Sequence, residues 1–134
     1  MGSKKNNLTY NQVAIKIGPL MEELRRLDES IKRNKVDLQN ATDREKGCEE
    51  GLAEAVARVK AVAASDVIDL AEYCDSRANM MTIEGYVDQA GALRRVLQNE
   101  RDLLQAAWNN ANLTYELLLA ELMEKSNNVE RIFQ

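Results

Sequence analysis

The chain has 134 residues, 45% hydrophobic and 30% charged, with a net charge of −4 and no histidine. That length fits one domain, and that balance belongs to folded rather than disordered chains. Without histidine the usual general base near neutral pH is missing, as is the commonest protein ligand for zinc, copper and iron. A membrane span needs about 18 consecutive apolar residues, whereas the longest apolar stretch, Val59 to Leu70, is broken by Lys60, Ser65, Asp66 and Asp69.

Residues 1–18 read as a partly ordered N-terminal segment. Met1-Gly2-Ser3 has the look of a cloning remnant rather than an acylation signal. Lys4 and Lys5 are followed by Asn6-Asn7-Leu8-Thr9, where a signal peptide would carry its apolar core. The expected location is therefore cytoplasmic, with export by a route independent of a signal peptide left open.

Pro19 suits the first position of a helix, and a first long helix is expected over 19–64. From Leu20, alternating steps of four and three reach Leu24, Leu27, Ile31, Asn34, Leu38, Ala41, Glu45, Cys48, Leu52, Ala55, Val59 and Val62. A seven-residue repeat of this kind lays a narrow apolar seam along one face and signals left-handed supercoiling against a partner helix. The seam weakens at Asn34, Ala41, Glu45 and Gly47, and Gly47 and Gly51 each lower helix propensity by about 1 kcal/mol. Bending or fraying is expected there. Asn34 has two readings, a register-setting polar residue or a point where the seam meets solvent.

Residues 65–81 are expected to hold a short helix and the turn. Ser65 or Asp66 would cap the helix carrying Val67, Ile68, Leu70, Ala71 and Cys74, and the chain would reverse in the polar stretch Asp75 to Asn79. A first helix running through Cys74 stays open. A second long helix follows over 82–126, capped by Thr82, with a seam of Ile83, Val87, Ala90, Leu93 and Leu97, then Leu104, Trp108, Ala111, Tyr115, Leu118 and Leu122. Reaching Leu104 from Leu93 through Leu97 and Arg101 takes two successive steps of four, which read as a stutter that locally unwinds the supercoil. Residues 127–134 are expected as a C-terminal turn in which Val129, Ile132 and Phe133 dock.

The fold class these elements define is all-α: a long antiparallel helical hairpin, or coiled coil, with a short helical segment at the turn. A two-helix hairpin covers little area per residue, so a second copy or a protein partner is expected to complete a bundle. The contact surface is expected at Leu20, Leu24, Leu27 and Ile31 on the first helix, and at Leu117, Leu118, Leu122 and Met123 on the returning one. Met80, Met81 and Met123 read chiefly as core filling.

Charge is unevenly spread. Residues 1–35 hold eight Lys or Arg against four Asp or Glu, +4, and the remainder ten against eighteen, −8. Arg25, Arg26, Lys32, Arg33 and Lys35 form a basic stretch, but no aromatics interleave with it and glutamates flank it, which disfavours nucleic acid as the main ligand. Pairing of this stretch with the acidic remainder, or along its own helix, accounts for it better.

No catalytic constellation is found. Cys48 and Cys74 lack a histidine base and zinc-site spacing, and read as small core residues. Gly47, Gly51, Gly85 and Gly91 fall inside helical repeats rather than in a phosphate-binding loop. No cofactor or metal is expected. The leading functional expectation is a non-enzymatic coiled-coil interaction protein, an adaptor, scaffold subunit or chaperone of a larger assembly. The alternatives are a small acidic inhibitor that blocks an enzyme or nucleic-acid-binding site, and, third, a nucleic-acid-binding hairpin acting through residues 25–35.

Overall fold

Thr9 decides where the first helix begins. Its backbone N–H donates to the Gln12 side-chain oxygen at 2.8 Å, and the Gln12 N–H donates back to the Thr9 hydroxyl at 3.3 Å. This reciprocal capping box satisfies two donors that a helix start leaves without partners. In the computed structural model, which describes residues 9–133, helix α1 spans Tyr10–Ala63 (54 residues) and helix α2 spans Leu70–Phe133 (64 residues). Side chains are described as far as Asn127, so the expected order of residues 1–8 and the docking of Val129, Ile132 and Phe133 lie outside what is described.

The two helices form an all-α helical hairpin, with no strand among the described residues. Pro19 does not start α1 but lies inside it. The capping box, together with Val13 and Ile17 continuing the seam upstream, outweighs the one hydrogen bond that a proline removes from a helix interior.

The chain reverses between Ala64 and Asp69, earlier than expected. Ser65 donates its backbone N–H to the Val62 carbonyl at 3.3 Å and its hydroxyl to the Val67 carbonyl at 3.1 Å. Asp69 then caps α2, its Oδ1 accepting from the Ala71 N–H at 3.0 Å and the Glu72 N–H at 3.3 Å. Glu72 adds an acid in the first turn, where the helix dipole favours it. Residues 65–81 therefore divide, 65–69 as the turn and 70–81 as the opening of α2. Asp75 to Asn79 is helical, and Thr82 lies within α2, its hydroxyl donating to the Ala78 carbonyl at 3.0 Å. At the far end α2 continues through 127–133 as helix rather than as a separate turn.

The residues group into two units, one made of the terminal segments 1–32 and 102–134, the other of 33–101. In the terminal unit, Val13 is fully buried and Ile17 nearly so, and Leu20, Leu24, Leu27 and Ile31 continue the α1 seam half-buried. On α2 the seam there runs through Leu104, Trp108, Ala111, Tyr115, Leu118, Leu122 and Lys125, with Asn112, Leu119, Glu121 and Ser126 half-covered beside it. In the reversal-bearing unit the α1 seam runs through Asn34, Leu38, Ala41, Glu45, Cys48, Leu52, Ala55, Val59 and Val62, and Arg58 of α1 lies 3.7 Å from Glu72 of α2.

The covered positions of α2 correct the expected register. Among them a seam runs through Tyr73, Ser76, Met80, Ile83, Val87, Ala90, Arg94, Leu97, Arg101 and Leu104 in unbroken steps of three and four, with Gly85, Gly91 and Gln98 covered beside it. There is no stutter. Arg94 holds the seam position assigned to Leu93, which is 45% exposed, and Arg101 bridges the interval that looked irregular when apolar residues alone were followed. Helix α1 likewise passes Gly47 and Gly51 without a break, because seam contacts on both sides outweigh a propensity deficit of about 1 kcal/mol per glycine.

Candidate helix-contact surfaces

Within the reversal-bearing unit the inner seam carries two polar layers. Asn34, 1% exposed, donates its side-chain amide to the Leu97 carbonyl at 3.0 Å and to Glu100 Oε1 at 3.4 Å. Of the two readings of Asn34, the buried seam position is the one the structure shows. Its Oδ1 is buried and accepts no hydrogen bond, a cost of about 1–3 kcal/mol for an unsatisfied acceptor. Eleven residues further along α1, Glu45 accepts a charge-assisted hydrogen bond from Arg94 Nε across the seam. A Cβ at Gly91 would stand 3.4 Å from Glu45 Oε1, so the missing side chain leaves room for that carboxylate.

A groove of about 320 Å³ in this unit is lined by Arg44, Cys48, Tyr86, Gln89, Ala90 and Leu93. Ala41, Ala55 and Ala90 are the buried apolar residues of this unit. Small side chains in the seam allow close helix approach, but they cover little apolar area. Of the two cysteines, both free, Cys48 is half-buried and Cys74 is exposed, so only the first approaches the core role expected of both.

In the terminal unit the expected contact residues separate into two sets. Leu20, Leu24, Leu27 and Ile31 on α1, and Leu118 and Leu122 on α2, are half-covered seam residues and belong to the hairpin's own packing. Leu117 and Met123 stand outside it, 64% and 61% exposed.

The basic stretch of α1 is largely answered on its own helix. Arg25 reaches Glu22 at 2.5 Å and Glu29 at 2.6 Å, and Lys32 reaches Asp28 at 3.1 Å. The hydrogen bond from Arg25 is the main cause that holds the Glu22 carboxyl below its ordinary pKa, and the same contact raises that of Arg25. Among the described residues no ion pair is found for Arg26, Arg33 or Lys35, which lie outside the seam and are exposed.

One surface was not anticipated. On the side of α2 away from the seam, steps of four and three from Ala78 to Ala120 meet no charged residue. Leu103, Leu113 and Leu117 fall on this stripe, and Leu103 is 73% exposed. The corresponding face of α1 instead carries Glu22, Arg26, Glu29, Arg33, Asp43, Glu50 and Glu54. A hydrophobic search passes over the α2 stripe because Ala, Thr, Gly, Gln and Asn fill many of its positions. The usable signal is an absence of charge repeating at the helical period.

Among the described residues no three of Cys, Asp and Glu gather closely enough to hold a metal ion, and no helix is long and apolar enough to cross a membrane. Comparison with known proteins returns no matching family model, no similar curated protein and no similar solved structure.

Proposed function

We propose that this chain is a non-enzymatic coiled-coil interaction protein, serving as an adaptor, scaffold subunit or chaperone in a larger assembly. The reading is carried by the uncharged outer face of α2, where Leu103, Leu113 and Leu117 stand exposed on a helix whose inner seam is already covered. An uncharged helix face on which large apolar side chains stand exposed offers a contact surface to another helix. The seam does little beyond holding the hairpin, since only Val13 and Asn34 among the described side chains are less than 2% exposed. Self-neutralisation of Arg25 and Lys32 weighs against nucleic acid, which would need those charges for phosphates.

The test places a photoreactive residue at Leu117 or Leu113 and, as a control, at Val36 on the exposed face of α1, in cells expressing the chain. Adducts from the α2 positions, absent from the α1 position and abolished by Leu103→Asp in the same chain, are the expected result. Equal labelling from α1 and α2, with normal helicity, would overturn the assignment.

A further inference from the structure

The groove at Cys48 continues along one edge of the 33–101 unit. A second hollow of about 320 Å³, lined by Asp37, Asn40, Ala41, Arg44, Leu93 and Leu97, shares Arg44 and Leu93 with it. On this edge steps of four and three trace a second repeat beside the inner seam. It passes through Asn40, Arg44, Gly47, Gly51, Glu54 and Arg58 on α1, and through Asn79, Thr82, Tyr86, Gln89, Leu93 and Val96 on α2. The α2 half has no charge, and Tyr86, Leu93 and Val96 are exposed on it. The other edge instead carries Lys46, Glu49 and Lys60 on α1 and Arg77, Glu84 and Asp88 on α2. Among the described residues of this unit the buried apolar side chains are all alanines, so the larger apolar groups of the grooved edge gain cover only from outside the hairpin.

We infer that this grooved edge docks on the same edge of a second copy of the chain, antiparallel, with the two-fold axis midway between Gly47 and Gly51. Arg44 and Glu54 lie equally far on either side of that midpoint, and among the described residues neither has an ion pair or a side-chain hydrogen bond. The axis sets each Arg44 against the copy's Glu54, twice by symmetry, and each Gly47 against the copy's Gly51. Nothing lies within 4 Å of where a Cβ would stand on either glycine, so α1 and its copy can approach until the charges pair. A methyl fits in that space, whereas a leucine would hold the helices apart. Tyr86 lines the same hollow as Cys48 and therefore comes near the axis, where its ring meets the copy's ring and Leu93 meets the copy's Asn79. At the rim Glu72 comes toward the copy's Glu100, and each already has a partner in its own chain, Arg58 at 3.7 Å and the Asn34 amide at 3.4 Å. Charge selects a copy over another partner. Between Asn40 and Glu54 the edge holds one charge of each sign, which gives a polyanion no net attraction, while a second copy supplies the same pair in mirrored order. None of Leu103, Leu113 and Leu117 takes part, so the occupant of this edge is decided apart from theirs.

Sedimentation equilibrium on the purified full chain reads the association, under reducing conditions because both cysteines are free, with circular dichroism as the check on folding. The parent chain is expected at twice its 15.1 kDa mass. Arg44→Glu and Glu54→Arg are each expected to weaken self-association by about tenfold or more, the scale of a reversed contact repeated by symmetry. Mixed in equal amounts, the two variants should associate again, because each meets its complement in the other chain at both contacts; a pairing within one chain could not produce this. Gly51→Leu is expected to keep or raise helicity and abolish the doubled mass, while Lys46→Glu, on the other edge, leaves it unchanged. Single-chain mass at every soluble concentration would overturn self-docking, as would a doubled mass that survives Gly51→Leu and both charge reversals. Two weakened variants that fail to associate when mixed would overturn the alignment, and Lys46→Glu as damaging as Arg44→Glu would overturn the choice of edge.

Discussion

Removing the Arg94 side chain is the most informative change that can be made inside the hairpin. Its guanidinium occupies a seam position at 34% side-chain exposure and donates to Glu45, whose side chain is 18% exposed. Arg94→Ala leaves a carboxylate in the seam without its donor and deletes the aliphatic stem that Arg contributes to packing. Leaving a buried charge unpaired costs about 3–5 kcal/mol. The residual solvent contact of both groups lowers the expectation here to about 1.5–3 kcal/mol, the range of a hydrogen bond to a charged group. Replacing both residues, as Glu45→Leu with Arg94→Leu, removes the desolvation cost together with the pair and should be neutral or stabilising by about 1–2 kcal/mol. Urea unfolding followed by circular dichroism at a fixed protein concentration measures these differences, the fixed concentration removing any contribution from association. Arg94→Ala within about 0.3 kcal/mol of the parent chain, or a double leucine variant less stable than Arg94→Ala alone, would refute the seam placement.

Three further expectations follow from the same geometry. Asn34→Leu should stabilise the hairpin by about 1–2 kcal/mol, because it removes an acceptor without a partner and adds apolar burial. It should also loosen the register, seen as a broadened set of disulfide pairings between single cysteines placed on the two helices of the 33–101 unit. Asp69→Ala should cost about 1 kcal/mol, the worth of an N-cap that satisfies two N–H groups, and hydrogen exchange should quicken at Ala71 and Glu72 while seam positions keep their protection. Gly47→Ala and Gly51→Ala should each add about 0.5–1 kcal/mol of stability, since a Cβ at either position meets nothing within 4 Å and the helix gains propensity. A loss of stability in thermal unfolding of either glycine variant would mean that α1 needs those residues for a close approach.

Helix content, the hairpin and most of the α1 seam could be read from the heptad spacing, because a period of three and four over many turns has one physical solution. Helix ends were less legible. The Thr9-x-x-Gln12 capping box was in the sequence, but Pro19 was the louder signal, and a proline inside a long helix is tolerated when neighbouring turns are held by packing. Ser65, Asp66 and Thr82 were the expected caps and Asp69 was not among them, since spacing alone does not choose among four side chains that can all cap. The stutter in α2 came from following apolar residues only. Once Arg94 and Arg101 are admitted as seam residues, with Glu45 opposite Arg94, the repeat closes without a break. Of the contact surface, Leu117 and Met123 were placed on an outer face, while Leu118 and Leu122 were not. The apolar-rich run 117–123, about two helical turns, hides which residues face in until the opposing helix is known.

Photocrosslinking from position 117, in the full chain and in Leu103→Asp, tests the central claim, that one face of α2 holds the hairpin together and its outer face near Leu103, Leu113 and Leu117 contacts another helix. The parent chain is expected to give adducts and Leu103→Asp none, with unchanged helicity in both. A parent chain without adducts, or a Leu103→Asp variant that keeps them, would contradict it.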